Sequence, residues 1–178
     1  GDGTFLEQLK EHFTMISRSS RGNDIADINA DGFADVITVD ALPEEEKILK
    51  ASSTDDPSDL QPTCARFDYH PQYMRNMLQI NQGGKFFSER AFIMEVAATD
   101  WSWSPLLADL DQDGIIDLFI TTGIYRRPND LDYIKFISSR LIRDKLNKTR
   151  LADNEAINEM PSGNAHNYVF QGDGKHFI

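Results

Sequence analysis

The sequence predicts a mainly β fold of β-propeller blades, two repeats with a helical insertion, and three observations predict it. Two acidic loops of nine residues, Asp27 to Asp35 and Asp109 to Asp117, lead into β-branched and aromatic runs of strand length, Val36-Ile37-Thr38-Val39 and Leu118-Phe119-Ile120-Thr121-Thr122. A glycine turn recurs as Gly1-Asp2-Gly3-Thr4-Phe5, Gly83-Gly84-Lys85-Phe86 and Gly172-Asp173-Gly174-Lys175-His176-Phe177, and both later copies follow strand-like runs, Met77 to Ile80 and Tyr168 to Phe170. The spacing is kept: Gly3 to Gly84 is 81 residues, Gly84 to Gly174 is 90 and Asp27 to Asp109 is 82. Short strands punctuated by glycine turns and repeated at long, uneven intervals read as blades with insertions.

Repeat one covers about residues 1–83 and repeat two about 84–174. Two such units leave sheet edges and apolar faces uncovered, and repeat architectures usually need at least three. The expectation is therefore a segment of a larger propeller, with further blades of the same chain as its nearest partners.

Taken in order, the first acidic loop and its strand are followed by an exposed acidic loop at 41–66, marked by Pro43, Glu44-Glu45-Glu46, Asp55-Asp56-Pro57 and Pro62. Tyr69 to Asn76 then leads into the second glycine turn. Trp101-Ser102-Trp103 precedes the second acidic loop, and alternate spacing puts both indoles on one face of a strand, either packed between blades or offered to a sugar. A second insertion, about 126–160, is helical. Asp130 can cap a helix with Ile134, Ile137 and Leu141 on one face, and Arg140, Arg143, Lys145, Lys148 and Arg150 make it basic towards its end. That basic face is either solvated or a docking surface.

The chemistry lies in the two acidic loops. Asp109, Asp111, Asp113 and Asp117 stand at positions one, three, five and nine, with Gly114 at position six allowing the turn that brings them together. Such oxygens suit a hard cation, Ca²⁺, and the backbone carbonyl of Ile115 at position seven adds another. The upstream copy is Asp27, Asn29, Asp31 and Asp35, with Gly32 at position six and Phe33 at position seven. An EF-hand needs a bidentate Glu at position twelve and flanking helices. Here position twelve is Thr38 or Ile120 and the flanks are strand-like, so these are strand-edge loops closed by Asp35 or Asp117. The alternative is a pair of solvated Asp/Gly-rich turns.

Composition bounds the rest. The 178 residues are 40% hydrophobic and 26% charged, enough for one domain with a sizeable core. A net charge of −11 argues against nucleic acid and anionic membrane as partners, and two bound Ca²⁺ would bring it to −7. Cys64 is the only cysteine, which excludes an internal disulfide and fits either a reduced compartment or an exterior that does without them. No apolar run is long enough to span a bilayer.

The calcium loops, the strands after them and the glycine turns ending in Phe resemble the FG-GAP and VCBS repeats of integrin-like β-propellers. The segments Arg75 to Asn81, Asp100 to Pro105 and Gly123 to Tyr133 are more specifically similar to the VCBS-repeat proteins of Bacteroidetes that often carry an ASPIC/UnbV domain. The resemblance covers most of the chain and implies an extracellular or cell-surface, outer-membrane-associated protein that holds Ca²⁺ structurally and offers a face for adhesion. Two positions depart from it: Asn29 lowers the charge of the first loop, and His176 stands where the other turns have Phe.

No catalytic constellation is legible. His12, His70, His166 and His176 are dispersed, no nucleophile signature is present, and a carboxylate committed to Ca²⁺ is a poor proton donor. The expectation is a non-enzymatic calcium-binding module for adhesion or recognition of a protein or glycan. The alternative is an accessory carbohydrate-binding module, with Trp101, Trp103 or loop tyrosines touching sugar.

Overall fold

The computed structural model describes residues 3–52, 60–139 and 157–178. The chain is mainly β, as its patterning predicts. A four-stranded antiparallel meander is formed by β2 (Gly22–Ala26), β3 (Asp35–Val39), β5 (Met77–Asn81) and β6 (Phe87–Glu89). A three-stranded one is formed by β7 (Ser102–Ala108), β8 (Asp117–Thr122) and β9 (Tyr168–Phe170). A helical turn, α1 (Leu9–His12), precedes a short parallel pair, β1 (Ile16–Ser17) with β4 (Gln72–Tyr73), that flanks the first sheet.

Each acidic loop joins the first two strands of a sheet, and each later glycine turn follows the next strand. The turn at Gly83-Gly84 joins β5 to β6 within the first sheet. The turn at Gly172 to Gly174 brings Phe177 back beside Gly172, with Gln171 and Ile178 exchanging backbone hydrogen bonds of 2.9 and 3.0 Å. Phe177 is buried in the core, and Phe87, at the matching place, stacks on Phe13 at 4.5 Å. The packing aromatic of the turn is thus one residue beyond Phe86 and His176, so a histidine at 176 costs the core nothing.

The register shows how the sheets meet. Asp35 opens β3 as Asp117 opens β8, so Ile37 corresponds to Phe119 and Val36 to Leu118. Ile37 and Val39 are fully buried in β3, whereas the fully buried residues of β8 are Leu118 and Ile120, of the opposite parity. Because successive side chains of a strand point to opposite faces, the two sheets are in contact through opposite faces. They stack front to back. The core between them contains Ile28, Leu78, Ile80, Met94, Val96 and Leu107 beside those four residues.

Close approach fixes the junction. A Cβ on Gly22 would collide with the Trp103 carbonyl, and the Leu107 N–H donates to Asp24 Oδ2 at 2.7 Å. At the strand ends away from the acidic loops, buried Asp40 accepts from Ser17 Oγ at 2.6 Å and from the Ser19 N–H at 2.8 Å. Its own N–H donates to Asn76 Oδ1 at 2.8 Å, and Asn76 Nδ2 donates to Thr99 Oγ1 at 2.6 Å. Ser102 N–H donates to the Asp40 carbonyl, joining the two sheets through a satisfied polar chain.

The insertions differ from the reading in detail. The 41–66 stretch contains helical turns, α2 (Glu46–Ala51) and α3 (Leu60–Arg66), and Glu44 accepts a hydrogen bond from the Tyr168 hydroxyl at 2.7 Å. One glutamate of the acidic run is therefore tied to the second sheet. In the second insertion α4 (Leu131–Ser138) starts as expected, with the Asp130 carboxylate accepting from the Tyr133 N–H at 2.9 Å. Tyr133 is its buried residue. Leu141 and the basic residues Arg140, Arg143, Lys145, Lys148 and Arg150 lie outside the described residues, as do Asp55, Asp56 and Pro57.

Candidate metal centres

The two acidic loops are built alike, atom for atom. At position one, Asp27 accepts from the N–H groups of Asp31 (3.0 Å) and Gly32 (2.8 Å). Asp109 accepts from Asp113 (3.1 Å) and Gly114 (2.9 Å). At position three, Asn29 Oδ1 accepts from the Asp31 N–H and Asp111 Oδ1 from that of Asp113, both at 3.2 Å. At position five, Asp31 accepts from the Phe33 N–H and Asp113 from that of Ile115. The backbone follows: φ is 55° at Ala30 and 64° at Gln112, then 90° at Gly32 and 88° at Gly114. Two left-handed residues in five wind the chain tightly, and glycine takes the second of them without a Cβ penalty.

Position nine anchors each loop to the core. Asp35 is fully buried and accepts from the N–H groups of Ile28 (3.0 Å) and Asn81 (2.7 Å). Asp117, 3% exposed, accepts from Leu110 and Gly172, both at 2.9 Å. Asn81 and Gly172, which the sequence marks only as the end of the segment from Arg75 and the start of a glycine turn, were not legible as site residues. They act through the backbone N–H at the end of a third strand, which leaves no side-chain pattern.

The structure brings Asp109, Asp111 and Asp117 together, with one oxygen of each within 4.8 Å of the others. Asp113 is outside that triad, its Oδ1 taken up by the Ile115 N–H. Gln171 Nε2 donates to Asp111 Oδ2 at 2.8 Å from the end of β9. Among the described residues no second carboxylate triad is as compact. In the first loop the place of Asp111 is taken by Asn29, whose Nδ2 donates to Asp31 Oδ2 at 3.1 Å.

The two position-nine carboxyls differ electrostatically. Burial pushes Asp35 above its ordinary range; the hydrogen bonds from Asn81 and Ile28 oppose this, while the Asp31 and Asp27 charges reinforce it. At Asp117 the N–H groups of Gly172 and Leu110 outweigh burial and hold the carboxyl below its usual range.

The tryptophans take different roles around Arg21. Its guanidinium lies 4.5 Å from the Trp101 ring and 5.5 Å from the Trp103 ring, so both indoles reach one cation. β7 starts at Ser102, and the register slips between Ser102 and Ser104, making Trp103 the extra residue of a bulge. Its ring N–H donates to the Gly123 carbonyl at 2.7 Å, and about half of the residue (49%) is exposed.

The chain matches no family model, no curated protein and no solved structure. Among the described residues no helix is long and apolar enough to cross a membrane.

Proposed function

We propose that this chain is a calcium-stabilised, non-enzymatic module of β-propeller type, a segment of a larger FG-GAP/VCBS-like propeller displayed outside the cell for adhesion or ligand recognition. The observation that carries the reading is the hydrogen-bond network shared by the loops 27–35 and 109–117, together with the carboxylate oxygens of Asp109, Asp111 and Asp117 lying within 4.8 Å of one another. The donor set is all oxygen and largely anionic, which suits Ca²⁺. Asp109, Asp111, Asp113, Asp117 and the Ile115 carbonyl would hold one ion, and Asp27, Asn29, Asp31, Asp35 and the Phe33 carbonyl the other. The ion supplies charge neutralisation, not chemistry. Front-to-back stacking of two meanders supports the propeller part of the reading, since blades in a ring meet through opposite faces. The extracellular setting follows from the resemblance, and affinities near those of extracellular modules, roughly 10⁻⁴ to 10⁻³ M, follow with it.

Calorimetric titration with Ca²⁺, with thermal melts in Ca²⁺ and in chelator, tests this. Two equivalents bound and a raised melting temperature are expected; no heat and no shift would reduce both loops to acidic turns.

The half-exposed residue Trp103 favours the second reading, a carbohydrate-binding accessory module. Affinity-gel retention on a polysaccharide, lost in Trp103→Ala with the fold intact, would move it ahead; no retention across a broad glycan panel leaves a protein ligand.

A further inference from the structure

A cavity of about 260 Å³ opens between the two sheets at their acidic-loop ends. Its apolar side is made by Ile28, Ile80 and Met94, all nearly buried. Its polar side carries Arg90, Lys175 and His176, all exposed. No carboxylate lines it among the described residues, which is notable in a chain of net charge −11. Asn29, the one side-chain amide of the lining, is neutral.

The cations are not consumed by the fold. The Arg90 guanidinium has one hydrogen bond, Nε to Ser88 Oγ at 3.4 Å, and neither Arg90 nor Lys175 forms an ion pair among the described residues. His176 is different: its Nδ1 lies 3.4 Å from Asp173 Oδ2, so the ring already has a carboxylate beside it. Two formal positive charges thus face an apolar wall.

We infer that this cavity binds a small organic monoanion, a carboxylate head between Arg90 and Lys175 on a compact apolar body lying against Ile28, Ile80 and Met94. The volume is at the small end for a ligand pocket, which limits the body to about one ring. The single charge follows from the surroundings: Asp173 beside His176, and Asp27 and Asp31 flanking Asn29, disfavour a doubly charged head. The site adjoins the first acidic loop, which contributes Ile28 and Asn29 to its lining, and of the residues proposed to hold Ca²⁺ it includes Asn29 alone.

Methyl-resolved NMR of the Met and Ile signals during titration with phenylacetate tests it, in Ca²⁺ and again in chelator, so that a failed calcium reading leaves the result interpretable. Benzyl alcohol supplies the body without the charge, acetate the charge without the body, and phenyl phosphate a second charge. Saturable shifts of Met94, Ile28 and Ile80 at millimolar phenylacetate are expected, with roughly tenfold weaker binding of benzyl alcohol and of acetate and a similar loss in Arg90→Gln and Lys175→Gln. Both substitutions are at exposed positions, and unchanged melting temperatures establish that the variants are folded. No saturation, shifts confined to other methyls, equal affinity for benzyl alcohol, or full affinity in both variants would each overturn the assignment. Tighter binding of phenyl phosphate would overturn the single-charge head.

Discussion

Loops 27–35 and 109–117 follow the same backbone path, accept the same hydrogen bonds at positions one, three and five, and are anchored by a position-nine aspartate with two N–H donors. Among the oxygen-bearing side chains at positions one, three, five and nine they differ only at position three, and they differ in the electrostatics at position nine. The difference teaches that the conformation of such a loop and its charge are separable. Hydrogen bonds within the loop set the path, so Asn29 can replace a carboxylate without altering the winding. The balance between burial and hydrogen bonding sets how readily each anchor stays ionised.

The largest effect expected is at the anchors. Asp117→Ala removes the acceptor of two N–H groups, from Leu110 and Gly172, and should cost about 2–4 kcal/mol in urea denaturation, since an unsatisfied buried donor costs about 1–3 kcal/mol. Replacement by asparagine separates the loops: each substitution turns one of two accepting oxygens into an NH2 facing an N–H, at a cost of about 1–3 kcal/mol, and in chelator Asp35→Asn should cost less than Asp117→Asn because burial at Asp35 penalises the charge that is removed. Equal losses would break the comparison.

Next come the glycines. Gly32→Ala and Gly114→Ala place a side chain where φ is 90° and 88°, with nothing within 4 Å of either new Cβ, so the cost is backbone strain alone, about 1–2 kcal/mol and equal in the two loops. A large inequality would mean that the shared path is maintained by something other than the turn.

Charge at position three should tune the cation and little else. Asn29→Asp is expected to raise Ca²⁺ affinity of the first loop roughly tenfold, and Asp111→Asn to lower that of the second by a similar factor, read by calorimetry. Thermal melts in chelator should hardly move.

The smallest effect is the pH dependence in chelator. Asp117, with its carboxyl held low, contributes stability that is present above the ordinary aspartate value and lost as pH falls through its folded-state value. Asp35, pushed up, has the opposite sign: its contribution is present below the ordinary value and lost as pH rises through the folded one. The gap between wild type and Asp117→Asn should therefore shrink as pH falls below the ordinary aspartate value, while wild type should lose ground to Asp35→Asn as pH rises above it.

Much of this was legible before any coordinates. Residue spacing placed both loops between strands, because Asp, Gly and β-branched runs carry local conformational preferences that a chain cannot hide. Asp130 was readable as a cap for the same reason. What lay beyond reach was set by pairing across the chain. The N–H groups of Asn81 and Gly172 reach the anchors only because a third strand lies alongside, and Glu44 meets Tyr168 across 124 residues. The helices inside 41–66 were missed since a stretch rich in Pro, Ser and Asp has the composition of a loop whatever its neighbours impose. Trp103 as a bulge also escaped, as alternation describes only an unbroken strand.

The opposite burial parity of β3 and β8 gives the pair of sheets a direction. The first sheet meets the second through one face and the second meets the first through the opposite one, so the two faces are not interchangeable in this contact. On the far side of the second sheet, Leu106, Phe119 and Val169 are in cross-strand register, with Leu106 and Val169 47% and 64% exposed. Contacts of this kind have no two-fold axis within them, so they cannot be satisfied by simple dimerisation of like faces. Repeating the same step leads either to a closed ring or to an open helix, and the rotation per step decides which.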